Sequence, residues 1–331
     1  GLVRSLDAGE GRNVLRGLLL EPLVVEDLGD SWGADVWNYK KILGRFKPEG
    51  KPRIVQEGPV RRITESVLSY GRSRVVFRTI AYTERPVLEF RLRVIWAEEK
   101  KRLKLSVPTV IDAPYVLAEV PGGAINRPAD GEEHVHGAWL FLKGEIKGRE
   151  VGLGLANNGQ PGFDFFKGEV RLSVLRSAAY CHDKGFSLGE SPARKYMDQG
   201  VHDIGLVVTV GGARDVLESL PSLADRLNAP PPAYAHLPFG SYRPADSQAV
   251  RAGMDWLRLD APNVGLLACK QSEDGEALII RLQEAAGLPT RAILSLGEMS
   301  VEAALDFRPF EIKTIRIERS GAWRETDVIK E

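Results

Sequence analysis

Residues 87–96, VLEFRLRVIW, alternate almost without interruption. Leu88, Phe90, Leu92 and Val94 fall on one face of an extended strand, and Glu89, Arg91 and Arg93 fall on the other. Successive strand side chains point to opposite faces, so period two predicts one buried and one wet face. Residues 102–107, RLKLSV, repeat the pattern: Leu103, Leu105 and Val107 are expected inside, Arg102, Lys104 and Ser106 outside. Residues 74–80 (RVVFRTI) are dense in β-branched and aromatic side chains, and residues 61–70 are compatible with another strand. Turn signals at Gly71, at 84–86 (ERP) and at 98–101 separate these runs.

Further strands are expected at 139–142, 151–156, 170–175 and 204–210. Residues 157–166 (NNGQPGFDFF) read as a turn-rich link and 181–193 (CHDKGFSLGESPA) as a polar loop. Many strands joined by short connections predict two packed antiparallel sheets. Residues 221–227 (PSLADRL) suit a short helix with Pro221 in its first turn. The stretch 228–245 carries five prolines (230, 231, 232, 238 and 244) and reads as a stiff boundary. A second β block follows, with strands expected at 256–259, 264–270, 277–283, 291–296 and 310–317 and a hairpin turn at 271–275. The predicted division is a large β domain at 1–213, a helix and Pro-rich linker at 214–250, a small β-sandwich at 251–319 and a polar tail at 320–331.

Lys plus Arg and Asp plus Glu both number 45, so formal net charge is zero. That balance offers no electrostatic reason to expect nucleic acid or an anionic membrane as partner. No apolar run approaches the length of a membrane span, and no leader is visible. Cys181 and Cys269 are too few for a disulfide framework and lack zinc-site spacing. They read as buried or half-buried thiols in a reducing compartment, which suggests the cytoplasm. The chain opens on Gly1 with residues that read as mid-strand, an expectation of a segment from a larger protein.

Candidate chemistry is sparse. His134 and His136 form H-x-H, which on a strand directs both rings to one face and could begin a metal site, but no third ligand stands nearby. Acidic residues cluster at Glu26, Asp27, Asp30 and Asp35 beside Trp32, Trp37 and Tyr39. Carboxylates next to aromatic rings suit sugars, whose C–H faces stack on π surfaces while hydroxyls take hydrogen bonds; a solvated turn with core aromatics is the alternative. Arg176 closes a strand in RLSVLRSAAY, where it either enters a cleft or pairs on the surface. No P-loop, dinucleotide fingerprint, G-x-S-x-G or H-E-x-x-H is present.

Residues 119–139, EVPGGAINRPADGEEHVHGAW, concentrate Pro121, Gly122, Gly123, Pro128 and Gly131 among polar residues before an apolar run. The segment resembles the carboxy-terminal half of family-38 α-mannosidases, in which a loop P-x-G-x-x-x-R-P-x-x-G-E-E precedes a tryptophan strand. Other matches occur in the same order: DLGDSW at 27–32, GLGLANNGQPGFDF at 152–165, LSVLRSAAY at 172–180, YMDQGVHD at 196–203, ACKQSEDGEALIIRLQEAAG at 268–287 and FRPFEIKTIRI at 307–317. The resemblance implies an all-β fold, a large antiparallel β-supersandwich of the galactose-mutarotase type followed by a smaller β-sandwich. It implies a retaining exo-acting α-mannosidase whose zinc and aspartate nucleophile sit in an amino-terminal domain preceding Gly1. This chain would then carry no catalytic residue, metal or cofactor itself. Its partners would be that amino-terminal catalytic domain and a mannose-containing oligosaccharide, with room for a homo-oligomer. By motif position, the resemblance assigns cleft roles to Arg176 and to the turn bearing Asp30, Trp32 and Asp35. The family's Pro after the Arg-Ser pair is replaced here by Ala178.

Two other readings compete. A free-standing carbohydrate-binding module would use Trp32, Trp37 and Tyr39. A mutarotase-type epimerase would need a histidine acid and a glutamate base, for which His134 or His202 with Glu133 are the candidates.

Overall fold

The computed structural model describes residues 2–29, 31–33, 36, 38–179, 196–232 and 256–327. The chain divides into two compact units, Gly1–Asn228 and Ala229–Glu331.

The large unit is built from two sheets. One has six strands in the order β11 (His134–Val135), β14 (Gly162–Phe166), β15 (Glu169–Arg176), β8 (Lys101–Pro108), β1 (Glu21–Glu26) and β2 (Ile42–Arg45). The other runs β10 (Gly123–Pro128), β9 (Tyr115–Val120), β12 (Trp139–Ile146), β13 (Arg149–Asn157), β16 (Gly200–Gly212), β7 (Val87–Trp96), β6 (Ser73–Tyr82), β5 (Arg61–Tyr70) and β3 (Lys47–Pro48), with β4 (Arg53–Glu57) also paired to β5. The recorded strand pairs, such as β6 with β7 and β15 with β8, are antiparallel.

The alternation in β7 comes out as read: Phe90, Leu92 and Val94 are buried while Arg91 and Arg93 are exposed. Their apolar face meets Phe77 and Val75 of β6, Leu140 and Leu142 of β12, and Leu103, Leu105 and Val107 of β8 in one core. That core draws on both sheets, so two inner faces close on each other as in a sandwich. Burying each large aliphatic side chain there contributes about 1.5–3 kcal/mol, which sets the register of every strand.

The helix is longer than the sequence suggests. α1 spans Ala213–Asn228, with Pro221 in its interior rather than its first turn. Val216, Leu220, Ala224 and Leu227 pack on Trp139, Phe141, Ala156 and Val207, on the side of the large sheet away from the main core. That apolar seam holds the helix through the proline, which would weaken an isolated one.

The link at 157–166 ends in a strand, β14, rather than being turn throughout. Leu2, Val3 and Leu6 lie in no strand, although they pack against the main core.

The smaller unit pairs a three-stranded sheet, β17 (Leu257–Leu259), β20 (Thr290–Leu296) and β21 (Val301–Phe307), with a four-stranded one, β18 (Val264–Gln271), β19 (Ala277–Glu284), β22 (Ile312–Glu318) and β23 (Trp323–Thr326). Its core joins Ile280, Leu282 and Ile315 to Leu294, Leu305 and Phe307. The region expected to be a polar tail contains β23, which pairs with β22. Cys269 is exposed, not buried, because it stands on the edge strand β18. Cys181, the loop at 181–193 and most of the Pro-rich stretch lie outside the described residues. Among those described, no helix is long and apolar enough to cross a membrane.

Candidate functional site

The alternation of β8 has a second consequence. Leu103, Leu105 and Val107 enter the main core, so Arg102, Lys104 and Ser106 occupy the opposite face of the six-stranded sheet. That face is not the wet one expected. Arg102 is 7% exposed, Lys104 0% and Ser106 3%. Buried cations survive only where paired, and these are paired densely.

Neighbouring strands supply the partners. Ser173 and Arg171 of β15 stand opposite Lys104 and Ser106, and Arg176 stands opposite Arg102 after a register shift. Asp164 of β14 stands opposite Arg171. Lys104 Nζ donates to Asp164 at 2.5 Å and to Glu133 at 2.5 Å. Arg171 Nε donates to Asp164 at 2.7 Å, and Arg102 Nη1 to Glu133 at 2.6 Å. Ser173 donates to Glu133, and Ser106 to Glu169.

The cover comes from two segments outside the sheet. Glu133 descends from the stretch following β10. Tyr39 comes from the stretch between β1 and β2, is 5% exposed and lies with Leu23, Val25 and Val36 in a small apolar cluster. Its ring stacks on the Arg102 guanidinium, 3.5 Å from centroid to Cζ.

Arg176 organises the edge of this face. Its Nε donates to Asp27 Oδ2 at 2.6 Å and its Nη2 to Asp27 Oδ1 at 3.2 Å, a two-pronged pair with a carboxylate that is 0% exposed. Its Nη1 reaches the carbonyl of Ser31 at 3.4 Å, and its backbone N–H donates to Asp198 at 2.8 Å. Asp27 also accepts the Gly29 N–H at 3.1 Å, which folds the chain back toward Arg176. A Cβ at Gly29 would lie 2.7 Å from Arg176 Nη2, so the backbone can approach only because that position has no side chain. Arg176 is thus held in a two-pronged pair rather than loosely at the surface, and it clamps the turn that carries Trp32. Trp32 itself is 79% exposed. Of the three aromatics proposed for sugar contact, the two described part ways, Trp32 outward and Tyr39 inward. Asp30, Asp35 and Trp37 lie outside the described residues.

The electrostatics favour fixed charges over proton transfer. Burial works to raise the Glu133 pKa, but Lys104 and Arg102 outweigh it and hold the carboxyl below its usual range. Burial raises the Tyr39 phenol, with Arg102 opposing. Neither group changes protonation near neutrality, which is what a general acid or base must do. Glu133 is accordingly a poor base for an epimerase.

The H-x-H pair does not assemble a metal site. Only His134 and Val135 form strand β11, and His134 Nε2 is 2.9 Å from Asp130 Oδ1. His136 is 5% exposed, with Nε2 2.9 Å from Asn157 Nδ2. The Asn157 oxygen already accepts the N–H groups of Gly159 and Gln160 at 2.9 and 2.8 Å, so its amide must donate to the ring. The imidazole is held neutral, with its proton on Nδ1. Burial, aided by Arg127, pushes the His136 pKa down to about 4. Among the described residues no group of three or more His, Cys, Asp or Glu is placed to hold a metal ion. Those residues do not fit a zinc site.

Sequence reasoning singled out Arg176 but not the burial of its partner Asp27, nor the contacts of Asp164 and Glu133 with Lys104. The legible signal was present in FDF at 163–165 and RLSVL at 171–175, where charged residues interrupt apolar alternation in strands rather than loops.

A family model described as "Glycosyl hydrolases family 38 C-terminal domain" matches residues 1–184. No curated protein matches the chain significantly. Among solved structures, the chain is similar to an alpha-mannosidase from Enterococcus faecalis V583, at 14% identity and a TM-score of 0.67, over 93% of this chain and 39% of that one. It is similar also to a protein in the glycosyl hydrolase family 38 from Enterococcus faecalis, at 14% identity and a TM-score of 0.70, over 93% of this chain and 41% of that one. The present chain thus spans about two fifths of either structure, and at that identity the likeness shows the shared fold.

Proposed function

This chain belongs to the family of glycosyl hydrolases family 38 C-terminal domains, and we propose that it serves as the non-catalytic carboxy-terminal part of an α-mannosidase. The activity is release of terminal α-linked mannose with retention. Zinc and the nucleophile of that reaction would belong to an amino-terminal domain outside this chain, where the metal would supply Lewis acidity.

The observation that carries the reading is the Asp27–Arg176 clamp. It fixes a turn bearing an exposed tryptophan, Trp32, at the residues where the family resemblance places cleft contacts. In this reading Trp32 offers its ring to the C–H face of a mannose-containing oligosaccharide. Arg176 keeps the turn in register with the sheet. The ion network beneath makes the platform rigid, which limits the ordering lost when the substrate docks.

The test is reconstitution. The chain is produced alone and joined to an amino-terminal half carrying the zinc site, and both are assayed for mannose release from an aryl α-mannoside. The chain alone should be inactive, and the joined protein active and zinc-dependent. A complete, folded protein that releases no α-mannose overturns the proposal. Glycan binding by the isolated chain, lost in Trp32→Ala, would instead favour a carbohydrate-binding module.

A further inference from the structure

The outer face of the large sheet carries a second polar concentration, remote in sequence and sheet from the clamp. A groove of about 560 Å³ lies across strands β4, β5, β6, β7 and β16, and its lining includes Arg53, Arg78, Arg91, Arg93 and Asn158. The register explains how the arginines meet. Arg53 stands opposite Glu65, Glu65 opposite Arg78, and Arg78 directly opposite Arg91. Arg93 stands opposite Asp203.

Not all of this charge is matched. Arg53 and Arg78 share one carboxylate, Glu65, at 2.5 and 2.8 Å. Arg93 takes Asp203 with two bonds of 2.8 and 2.9 Å. Arg91 binds Glu89 through Nε at 2.7 Å and Nη2 at 2.6 Å. Four guanidinium groups therefore meet three carboxylates, leaving one positive charge in excess. Like charges directly across a strand pair repel, and the Arg78–Arg91 pair is such a case.

Two residues lining the groove carry donors without acceptors. Arg91 Nη1 and Asn158 Nδ2 have no partner among the described residues. Both converge beside Gly205, where a Cβ would lie 2.7 Å from Arg91 Nη1, 3.1 Å from Leu227 Cδ1 and 3.2 Å from Asn158 Nδ2. The Asn158 oxygen is engaged by the Gly205 N–H at 2.8 Å, which turns the amide nitrogen toward that space. Two converging donors and two facing guanidinium groups make a site short of one anion.

We propose that this groove binds a phosphate monoester. A tetrahedral dianion accepts hydrogen bonds from several directions at once, as donors on β6, β7 and the segment after β13 require, whereas a planar carboxylate is satisfied by one guanidinium. The groove is also far larger than an inorganic ion, with room for the esterified molecule. Nothing in this proposal depends on the mannosidase reading.

The test is binding of methyl phosphate, inorganic phosphate and acetate to the whole chain, by calorimetric titration at constant ionic strength set with sodium chloride. Both phosphates should bind in one-to-one ratio, with acetate at least about tenfold weaker. Arg91→Gln should weaken methyl phosphate about tenfold or more, since a charged donor is lost. Gly205→Ala keeps every charge yet displaces Arg91 Nη1 and crowds Asn158 Nδ2, and should weaken it comparably. Arg72→Gln, away from the groove, should bind as the parent does. Circular dichroism checks that each variant is folded. Failure of methyl phosphate to bind, equal binding of acetate, or unchanged binding in folded Gly205→Ala and Arg91→Gln overturns the proposal.

Discussion

Replacing Asp164 with alanine should unfold the large unit more readily than any surface substitution. Asp164 is 1% exposed and accepts from Lys104 Nζ at 2.5 Å and from Arg171 Nε at 2.7 Å. Without it, Lys104 and Arg171 keep their charges inside the protein with one carboxylate fewer. Removing one partner of a buried pair costs about 3–5 kcal/mol, mostly because the remaining charge is stranded. For a unit of this size that corresponds to a fall in melting temperature of about 10 °C. Differential scanning calorimetry at pH 7 reads it directly. Glu218→Ala, which removes an exposed pair with Arg214 on α1, serves as comparison and should leave the transition in place. The double variant Asp164→Leu/Lys104→Met removes a cation together with its carboxylate, and should be more stable than Asp164→Ala by at least about 1 kcal/mol. A loss below about 1 kcal/mol in Asp164→Ala, the level of an exposed pair, would refute the picture of a dry charged face.

Other outcomes follow from the same geometry. His136 should make stability depend on pH: its folded pKa of about 4 lies below the ordinary 6.5, so the neutral ring contributes stability in full above 6.5 and loses it as pH falls toward 4. The span corresponds to about 3 kcal/mol, and should appear as a difference in urea midpoint between the parent and His136→Gln that narrows across that range. Arg176→Ala should cost about 2–3 kcal/mol in urea unfolding, because the wholly buried Asp27 loses its two-pronged partner, and should lower mannoside turnover in the joined protein. Trp32→Ala should leave the unfolding midpoint unchanged, since the ring is 79% exposed, while raising KM for an oligomannoside in the joined protein; an unchanged KM would remove Trp32 from the cleft.

Strand content was readable wherever one face is apolar and the other is charged, because alternation alone encodes that arrangement. β7 and β6 are of this kind. The same rule misassigned β8, since Arg102, Lys104 and Ser106 carry the polar signature of a wet face. What covers them is Tyr39, reached through the stretch after β1, and Glu133, reached through the stretch after β10. Neither contact is local, and a strand's own period cannot report what lies above it. α1 was underestimated for a related reason. Pro221 is a helix-start signal locally, but the seam of Val216, Leu220 and Ala224 on the sheet overrides it. Arg176 was identified by its place at the end of a strand, whereas its role as a clamp needed Asp27, 149 residues away.

The loop motif that first drew attention has a physical reason that is not catalytic. Its last residue, Glu133, closes the charged face: it takes Lys104 and Arg102 together, with the Ser173 hydroxyl as a third donor. Lys104 is fully buried, and among the described residues its ammonium pairs with the carboxylates of Glu133 and Asp164. Glu133 therefore couples the 128–135 stretch to β8, and Arg102, which Glu133 shares with the ring of Tyr39, couples that stretch to the turn after β1. Arg102 Nε stands 3.5 Å from Asp27, the residue that holds Arg176. One chain of ionic contacts thus runs from Glu133 through Arg102 and Asp27 to Arg176 and the Trp32 turn. An apolar cap of the same volume would give comparable stability. It would not fix orientation, because dispersion contacts are nondirectional whereas each of these bonds has a required angle. Glu133→Gln should accordingly disturb the environment of Trp32, visible as a shift in its fluorescence in a variant retaining Trp32 as the sole tryptophan on a folded background. An unshifted spectrum would mean that the turn is held by Asp27 and Arg176 alone.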